Sequence, residues 1–416
     1  MTVSKTALYD YRDRMAPLLA TWNEQLVQRA MAEELVEGHQ ASLDGTTVAA
    51  NASRRKLVNL PQVEKRLELL DQALTEPRPA ETRALDESLP DAPATPGWMA
   101  RTTTGRQEQR QRCQKAKQRL AALHEENSHR RSDKRKPPEK IVVSISDPES
   151  VFGLDKEKVY RPLYNAQTIS DLAADFVLGY EVFDRHTDSG TLQPMIRKLL
   201  AQQIPIEAVL ADAGYPVGED LAFCEQAGIT LYAPWQENGL TAQKKPCDQP
   251  DASINKNQFQ WISEREVYIC PADKELPHSH RKSRQRASGE TIHFDVYRAS
   301  PLDCRQCPLQ PGCTTAPESG RTVRRDPHQD EIDRLNARME TEEAKKLYKR
   351  RGQTIERVFA DFKEHRNLRR FRGRGIARAR AQLGFTVLGH NLRLVYLLRN
   401  QKKRELIDQN TPQTAA

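Results

Sequence analysis

Apolar residues recur at helical spacing near the start of the chain, where Leu8, Leu18, Leu19, Trp22, Leu26 and Ala30 predict a helical module over residues 5–38. The pattern changes at Ala41-Ser-Leu-Asp-Gly-Thr-Thr-Val-Ala-Ala-Asn-Ala-Ser53. Its Thr and Val run predicts a strand edge or hairpin, with Asp44 at the strand start or edge. Val63, Leu67, Leu70 and Leu74 return to the helical period. A Pro-rich passage (Pro77, Pro79, Pro90, Pro93, Pro96), a basic, Gln-rich helix near 105–125 and the cationic run His129–Lys136 follow. Residues 61–139 therefore read as a basic helical insertion with little core of its own.

From 141 the rhythm is that of a sheet. Ile141–Ile145 is strand-like, and Tyr160–Ile169 with Phe176–Phe183 makes a hairpin flanking Asp171. A helix over 189–203 buries Leu192, Met195, Ile196 and Leu199. The strand Ile206–Leu210, a helix over 218–227 and the strand Ile229–Pro234 complete a mixed sheet covered by helices. Residues 236–330 break this order with polar segments, short strands (Glu266–Ile269, Ile292–Arg298) and clustered cysteines, and read as a second insertion. From 331 the chain is helical through Leu347, Tyr348, Ile355, Val358, Phe359 and Phe362, then Arg-rich to 380, then apolar over Leu383–Leu398. The expected organisation is an N-terminal module (1–40), core segments (41–60, 140–235), two insertions (61–139, 236–330), core helices with a basic segment (331–400) and a tail (401–416).

Composition narrows the function. The 416 residues carry a formal charge of +8 with 29% charged and 37% hydrophobic residues, and a mean hydropathy of -0.77. A basic chain favours a polyanionic partner, because each Lys or Arg on a phosphate releases a condensed counterion. No apolar run approaches the roughly 18 residues that span a bilayer, and MTVSKTALYDYRDR lacks a signal-peptide core, so a soluble, cytoplasmic protein is expected. Seven cysteines are an odd set and argue against a disulfide scaffold. Cys304-Arg-Gln-Cys307 with Cys313 and Cys270 offers four ligands to a structural Zn²⁺, or four reduced thiols in a small insert; Cys113, Cys224 and Cys247 are scattered.

Metal-dependent phosphodiester chemistry needs only a few acidic oxygens held rigidly, drawn from distant elements. Asp44 before Gly45, Asp212 after Val209-Leu-Ala and Glu356 on the amphipathic helix around 350–364 suit that role. Singly each has an ordinary explanation: a turn, a loop or helix cap, a solvated helix face. Together, Asp44–Ser53, Ala211-Asp-Ala-Gly-Tyr215 and Tyr348–Lys363 resemble, in order, the three catalytic blocks of bacterial insertion-sequence DDE transposases of the insertion-sequence-1182-type group. Leu368-Arg-Arg-Phe-Arg-Gly-Arg-Gly375 and His390-Asn391-Leu392 resemble the tail of that group, and the cysteine-bearing insert its middle.

The resemblance implies an RNase H-like α/β core in which Asp44, Asp212 and Glu356 bind two Mg²⁺ (or Mn²⁺) ions. It implies cleavage at insertion-sequence ends, strand transfer into double-stranded target DNA, and a homodimer or larger assembly on DNA. Its Tyr, Arg, Glu, Lys signature falls on Tyr348, Arg351, Glu356 and Lys363. The Glu-to-Lys step of seven places both on one helix face, whereas the Arg-to-Glu gap is one residue longer than expected. Ala213 stands where the group often has a basic residue, and the N-terminal module is shorter than the usual DNA-binding region, which leaves truncation open. Arg366, Arg369, Arg370, Arg372, Arg374, Arg378 and Arg380, with no acid among them, are expected to meet DNA phosphates. Asp147, in Ser146-Asp-Pro-Glu149, is the rival to Asp44, and Asp188 is expected to cap the helix that follows it. Two alternatives stand beside the transposase: a metal-dependent nuclease without strand transfer, and a catalytically inactive, transposase-derived DNA-binding protein.

Overall fold

The structure, a computed structural model, describes residues 4–75, 96–235, 254, 256–286 and 289–410. Four of the prolines of the Pro-rich passage (Pro77, Pro79, Pro90, Pro93) and Cys247 lie outside these residues. The chain divides into two compact units, residues 1–209 with 349–416, and residues 210–348. The first unit opens with α1 (Lys5–Met15), α2 (Leu19–Ala32), β1 (Gln40–Ala49), β2 (Leu57–Val58), α3 (Leu60–Thr75) and α4 (Thr103–Ser128). It continues through β3 (Val143–Ser144), β4 (Val151–Leu154), β5 (Tyr160–Asp171), β6 (Val177–Phe183), α5 (Leu192–Ala201) and β7 (Ala208–Leu210). The second unit holds α6 (Gly218–Gln226), β8 (Thr230–Tyr232), β9 (Gln260–Ile262), β10 (Val267–Ile269), β11 (Glu275–Leu276), β12 (His278–Gln285) and β13 (Thr291–Arg298). After α7 (Pro301–Arg305), α8 (Gln310–Cys313), β14 (Thr322–Arg325) and α9 (Gln329–Glu340), α10 (Glu342–Ala360) leads back to the first unit, which ends with α11 (Ile376–Asn410).

In the first unit β5 is the spine of the main sheet. β1 pairs with it antiparallel from Ala41↔Asp171 to Ala49↔Leu163. On its other side β4 pairs with Tyr160–Leu163 and β6 with Asn165–Ser170, both antiparallel, while β7 lies beyond β1. Asp44 therefore sits mid-strand inside the sheet, not at the strand start or edge that Asp-Gly predicts. From its third residue onward β5 is buried on both faces, as a strand between two helical layers must be. One face packs Val48, Tyr164, Ala166 and Val182 against Ile355, Val358, Phe359 and Phe362 of the α10 region and Leu383 and Val387 of α11. Each fully buried aromatic there, such as Phe362 or Phe371, contributes about 1.5–3 kcal/mol.

Pro17 lies in a 3-10 turn, Ala16–Leu18, between α1 and α2, as a residue without an amide hydrogen and with a fixed φ suits. Leu8 and Leu18 are exposed, and the module packs through Leu19, Val27 and Ala30 instead. Residues 61–139 also have more core than their composition predicts. α3 and α4 enclose Val58, Val63, Ala116, Leu120, Ile141 and Val143, with Leu70, Met99 and Cys113 as a second cluster.

The second unit starts at the last residue of β7, and β8 runs beside that end, with Ala211 N–H donating to the Tyr232 carbonyl at 3.0 Å. Two three-stranded antiparallel sheets, ordered β11-β10-β9 and β12-β13-β14, follow. Their shared core is Phe259, Tyr268, Leu276, Tyr297, Ala299, Cys304 and Val323.

Candidate functional site

Period-2 alternation along β1 puts Asp44 on the same face as Thr46 and Val48, the face that α10 and α11 cover. Arg351 of α10 sets Nη2 3.4 Å from Asp44 Oδ1, with the two side chains only 13% and 20% exposed. Lys363 is half-buried near the same carboxylate. Its pKa is pushed down first by burial and then by Lys156 and Arg369, and Asp44 opposes the shift. Arg351 and Lys363 thus set positive charge beside Asp44, charge that competes with a metal ion for this carboxylate and that can meet a phosphate oxygen.

The neighbouring Gly45 explains why the strand can hold this site. A Cβ there would overlap Gln167 Nε2 and lie 2.7 Å from Asp188 Oδ1 and 2.8 Å from Asn165 Oδ1. Asp188 Oδ1 accepts from Asn165 Nδ2 at 2.8 Å and Gln167 Nε2 at 2.6 Å. Its carboxylate is therefore committed to the sheet face opposite Asp44, and the expectation that it caps α5 is overturned. The cap residue is Thr191, which bonds through its own N–H and hydroxyl to the Asp188 carbonyl.

Glu356 is exposed on α10, one step off the buried stripe Thr354, Ile355, Val358 and Phe359. Seven residues on, Lys363 does not follow in uniform α-helical register, because Asp361–His365 forms a π-helical turn. Such turns change the angular step and recur at functional sites. This one is clamped by a buried network. Asp361 Oδ2 accepts from Arg366 Nε at 2.6 Å and meets His390 Nδ1 at 2.7 Å, while His390 Nε2 donates to the Asp175 carbonyl at 3.1 Å. Burial would raise the Asp361 carboxyl, but the hydrogen bonds from His390 and Arg366 override it and hold it below its ordinary value.

Beyond the π turn, residues 368–376 form a strap over the end of β1. Phe371 N–H donates to the Ala49 carbonyl at 2.8 Å, Asn51 Nδ2 donates to the Arg372 carbonyl and Gln382 Nε2 to the Arg370 carbonyl. Asp147, almost fully buried, accepts from Tyr164 OH at 2.6 Å and from Gly375 N–H at 3.1 Å. The rival first Asp is thus an anchor of this strap.

With Leu368, Phe371 and Gly373 turned inward, Arg370, Arg372 and Arg374 point out. The seven arginines are not equivalent, because Arg366, Arg369, Arg378 and Arg380 are ion-paired to Asp361, Glu364, Asp13 and Glu181. Arg370, Arg372 and Arg374 are exposed and make no ion pair among the described residues.

Asp212 belongs to the second unit. Its Oδ1 accepts from Gly214 N–H at 2.7 Å and its carbonyl from Tyr215 N–H at 3.2 Å, which shapes the turn after β7. Tyr348, half-buried, is in α10. In the same unit Cys270, Cys304, Cys307 and Cys313 all line one pocket. Cys270 Sγ accepts from Lys274 N–H and Cys304 Sγ from Arg321 N–H, each at 3.4 Å. Burial and then the neighbouring thiols, partly opposed by Arg321, push the Cys313 thiol up. Among the described residues no group of three or more His, Cys, Asp or Glu side chains stands in a geometry that could hold a metal ion, and neither the carboxylates nor the thiols form a finished metal centre.

Residues 269–396 match a family model described as a transposase DDE domain. The match covers under a third of the chain and includes Glu356, Arg351, Lys363, the strap and the four pocket cysteines, while Asp44 and Asp212 lie outside it. Over these residues the chain is similar to a transposase DDE domain. No curated protein and no solved structure matches the chain. No helix among the described residues is long and apolar enough to cross a membrane.

Proposed function

We propose that the protein is a cytoplasmic DNA transposase of the insertion-sequence-1182-type group, which cleaves the ends of its element and joins them to target DNA from an RNase H-like core. The observation that carries this reading is Asp44, a carboxylate inside a helix-covered sheet and set against Arg351, in a chain whose α10 lies within the transposase DDE match. The sheet order β4-β5-β1-β7, with β6 on β5 and a late helix over the face of Asp44, supports the RNase H-like core.

In this reading Asp44, Asp212 and Glu356 would hold two Mg²⁺ (or Mn²⁺) ions, which when bound activate the attacking oxygen and stabilise the leaving one. The residues around them position the DNA. Arg351, ion-paired to Asp44, holds that carboxylate in position. Lys363, held half-buried beside it, supplies a cation for a phosphate oxygen. Arg370, Arg372 and Arg374 grip the backbone on either side of the scissile bond, and a homodimer or larger assembly brings two ends together. The four cysteines of the pocket would hold a structural Zn²⁺ only by closing into a tetrahedral set that they do not form here.

The test incubates full-length protein with duplexes carrying the element's ends and a target plasmid in Mg²⁺, and scores nicking and joining separately. The expectation is both products, lost with chelator and in Asp212→Asn while DNA binding persists. Nicking without joining would make the protein a nuclease. Binding without either product would make it a DNA-binding descendant of a transposase, and full activity in Asp212→Asn would remove that residue from the site.

A further inference from the structure

The ribbon of β12 and β13 is the most exposed regular element of the second unit, since every β12 residue except His280 is exposed. Composition does not mark it as a site, because its charges alternate with its faces. Register partners share a face in an antiparallel pair, so Lys282↔Phe294 and Arg284↔Ile292 lie on one side and Arg281↔Asp295 and Ser283↔His293 on the other.

The two sides differ in their charge balance. On the second side Arg281 is bidentate to Asp295 at 3.0 and 3.1 Å, and His278 bonds the same carboxylate at 3.0 Å, so charge there is neutralised. On the first, Lys282 and Arg284 are exposed and make no ion pair among the described residues. Arg324 of β14, paired with Val296 on that side, places its guanidinium 4.7 Å over the Phe294 ring and leans on Asp326. The ribbon is held firmly at its tip end, where Arg286 makes two bonds to Glu219 of α6 at 2.7 and 2.8 Å.

We propose that this ribbon is a second DNA-binding element, whose Lys282 and Arg284 face seats the phosphate backbone of duplex DNA. Eight residues of strand extend about 26 Å, and a two-stranded ribbon fits the roughly 12 Å width of the major groove. Cations on one side of a rigid ribbon, with half-buried apolar side chains between them and no acid among the strand residues of that face, match a polyphosphate track. The inference rests on the proposed action on DNA.

It is tested by titrating full-length protein and its Lys282→Ala/Arg284→Ala variant with end-bearing and random-sequence duplexes over a range of salt. The slope of log affinity against log salt should become shallower by about 1.8, about 0.9 for each phosphate that is no longer neutralised, equally on both duplexes. Ser283→Ala, on the neutralised face, should leave it unchanged. Lys282→Gln/Arg284→Gln, which keeps side-chain length, should repeat the alanine result, so a misfolded first variant does not decide the matter. A wild-type slope in the folded double variant overturns the ribbon proposal while the transposase reading stands. Failure of the wild-type protein to bind either duplex overturns both.

Discussion

Gly45 is the residue at which sequence and structure diverge most usefully. Asp-Gly most often marks a turn, yet here the glycine is mid-strand, and its missing side chain lets Gln167, Asn165 and Asp188 close against the backbone. Gly45→Ala should therefore destabilise the first unit by about 1–3 kcal/mol through overpacking. Gly97→Ala, where nothing among the described residues lies within 4 Å, should stay within about 0.5 kcal/mol, with thermal unfolding as the measure. Equal midpoints for the two variants would contradict the close packing at Gly45. Asp361 makes a second prediction, about pH. Its folded-state pKa is lowered, so its stabilisation is fully present above the ordinary value of 3.8 and is lost as pH falls through the lower folded value. Asp361→Asn should remove this part of the acid dependence and cost about 3–5 kcal/mol at neutral pH, because Arg366 and His390 would lose the carboxylate between them. Chemical denaturation at pH 3 and pH 7 separates the two effects. A motif marks Asp44 in the sequence as a candidate, whereas the roles of Asp147 and Asp361 are not legible there, since burial and partners contributed by distant segments leave no local pattern.

At the scale of elements, the hairpin of β5 and β6, the helix α5 and the amphipathic α10 follow directly from periodicity, because each buries a face whose spacing is written locally. The strap and the ribbon do not, because which arginines are spent on ion pairs depends on acids far away in sequence. Among the arginines after the π turn, this selection gives a sharp expectation. Replacing Arg370, Arg372 and Arg374 with alanine should make the salt dependence of DNA binding shallower by up to about 2.7, whereas Arg369→Ala alone, which only releases Glu364, should change it little. Comparable slopes for the triple variant and the wild type would take the strap out of the DNA interface. The cysteine pocket carries a separate expectation of one Zn²⁺ per chain by elemental analysis of the purified protein. Cys304→Ser/Cys307→Ser should lose the metal and lower the unfolding temperature of the second unit. A wild-type protein free of zinc, with thiols fully titratable by a thiol reagent, would instead make these residues ordinary core cysteines.

For the whole molecule, the unit boundaries at 209/210 and 348/349 separate Asp44 and Glu356, carried by the first unit, from Asp212, carried by the second. A division of this kind is invisible to hydrophobic periodicity, which reports the faces of single elements and not which distant stretches of chain pack into one body. It turns the proposed mechanism into a thermodynamic question, because carboxylates that serve one pair of ions fail together, and those that serve different steps fail separately. Asp44→Asn, Asp212→Asn and the double variant should therefore lose cleavage to nearly the same extent, as residues acting as a unit do, since removing the second ligand from an already inactive centre removes nothing further. Single-turnover cleavage of an end-bearing duplex in Mn²⁺, the more permissive ion for a damaged oxygen-ligand set, gives residual rates high enough to compare. Multiplicative losses in the double variant would mean that the two aspartates contribute independently, and the single shared centre would have to be abandoned even if each residue proved important alone.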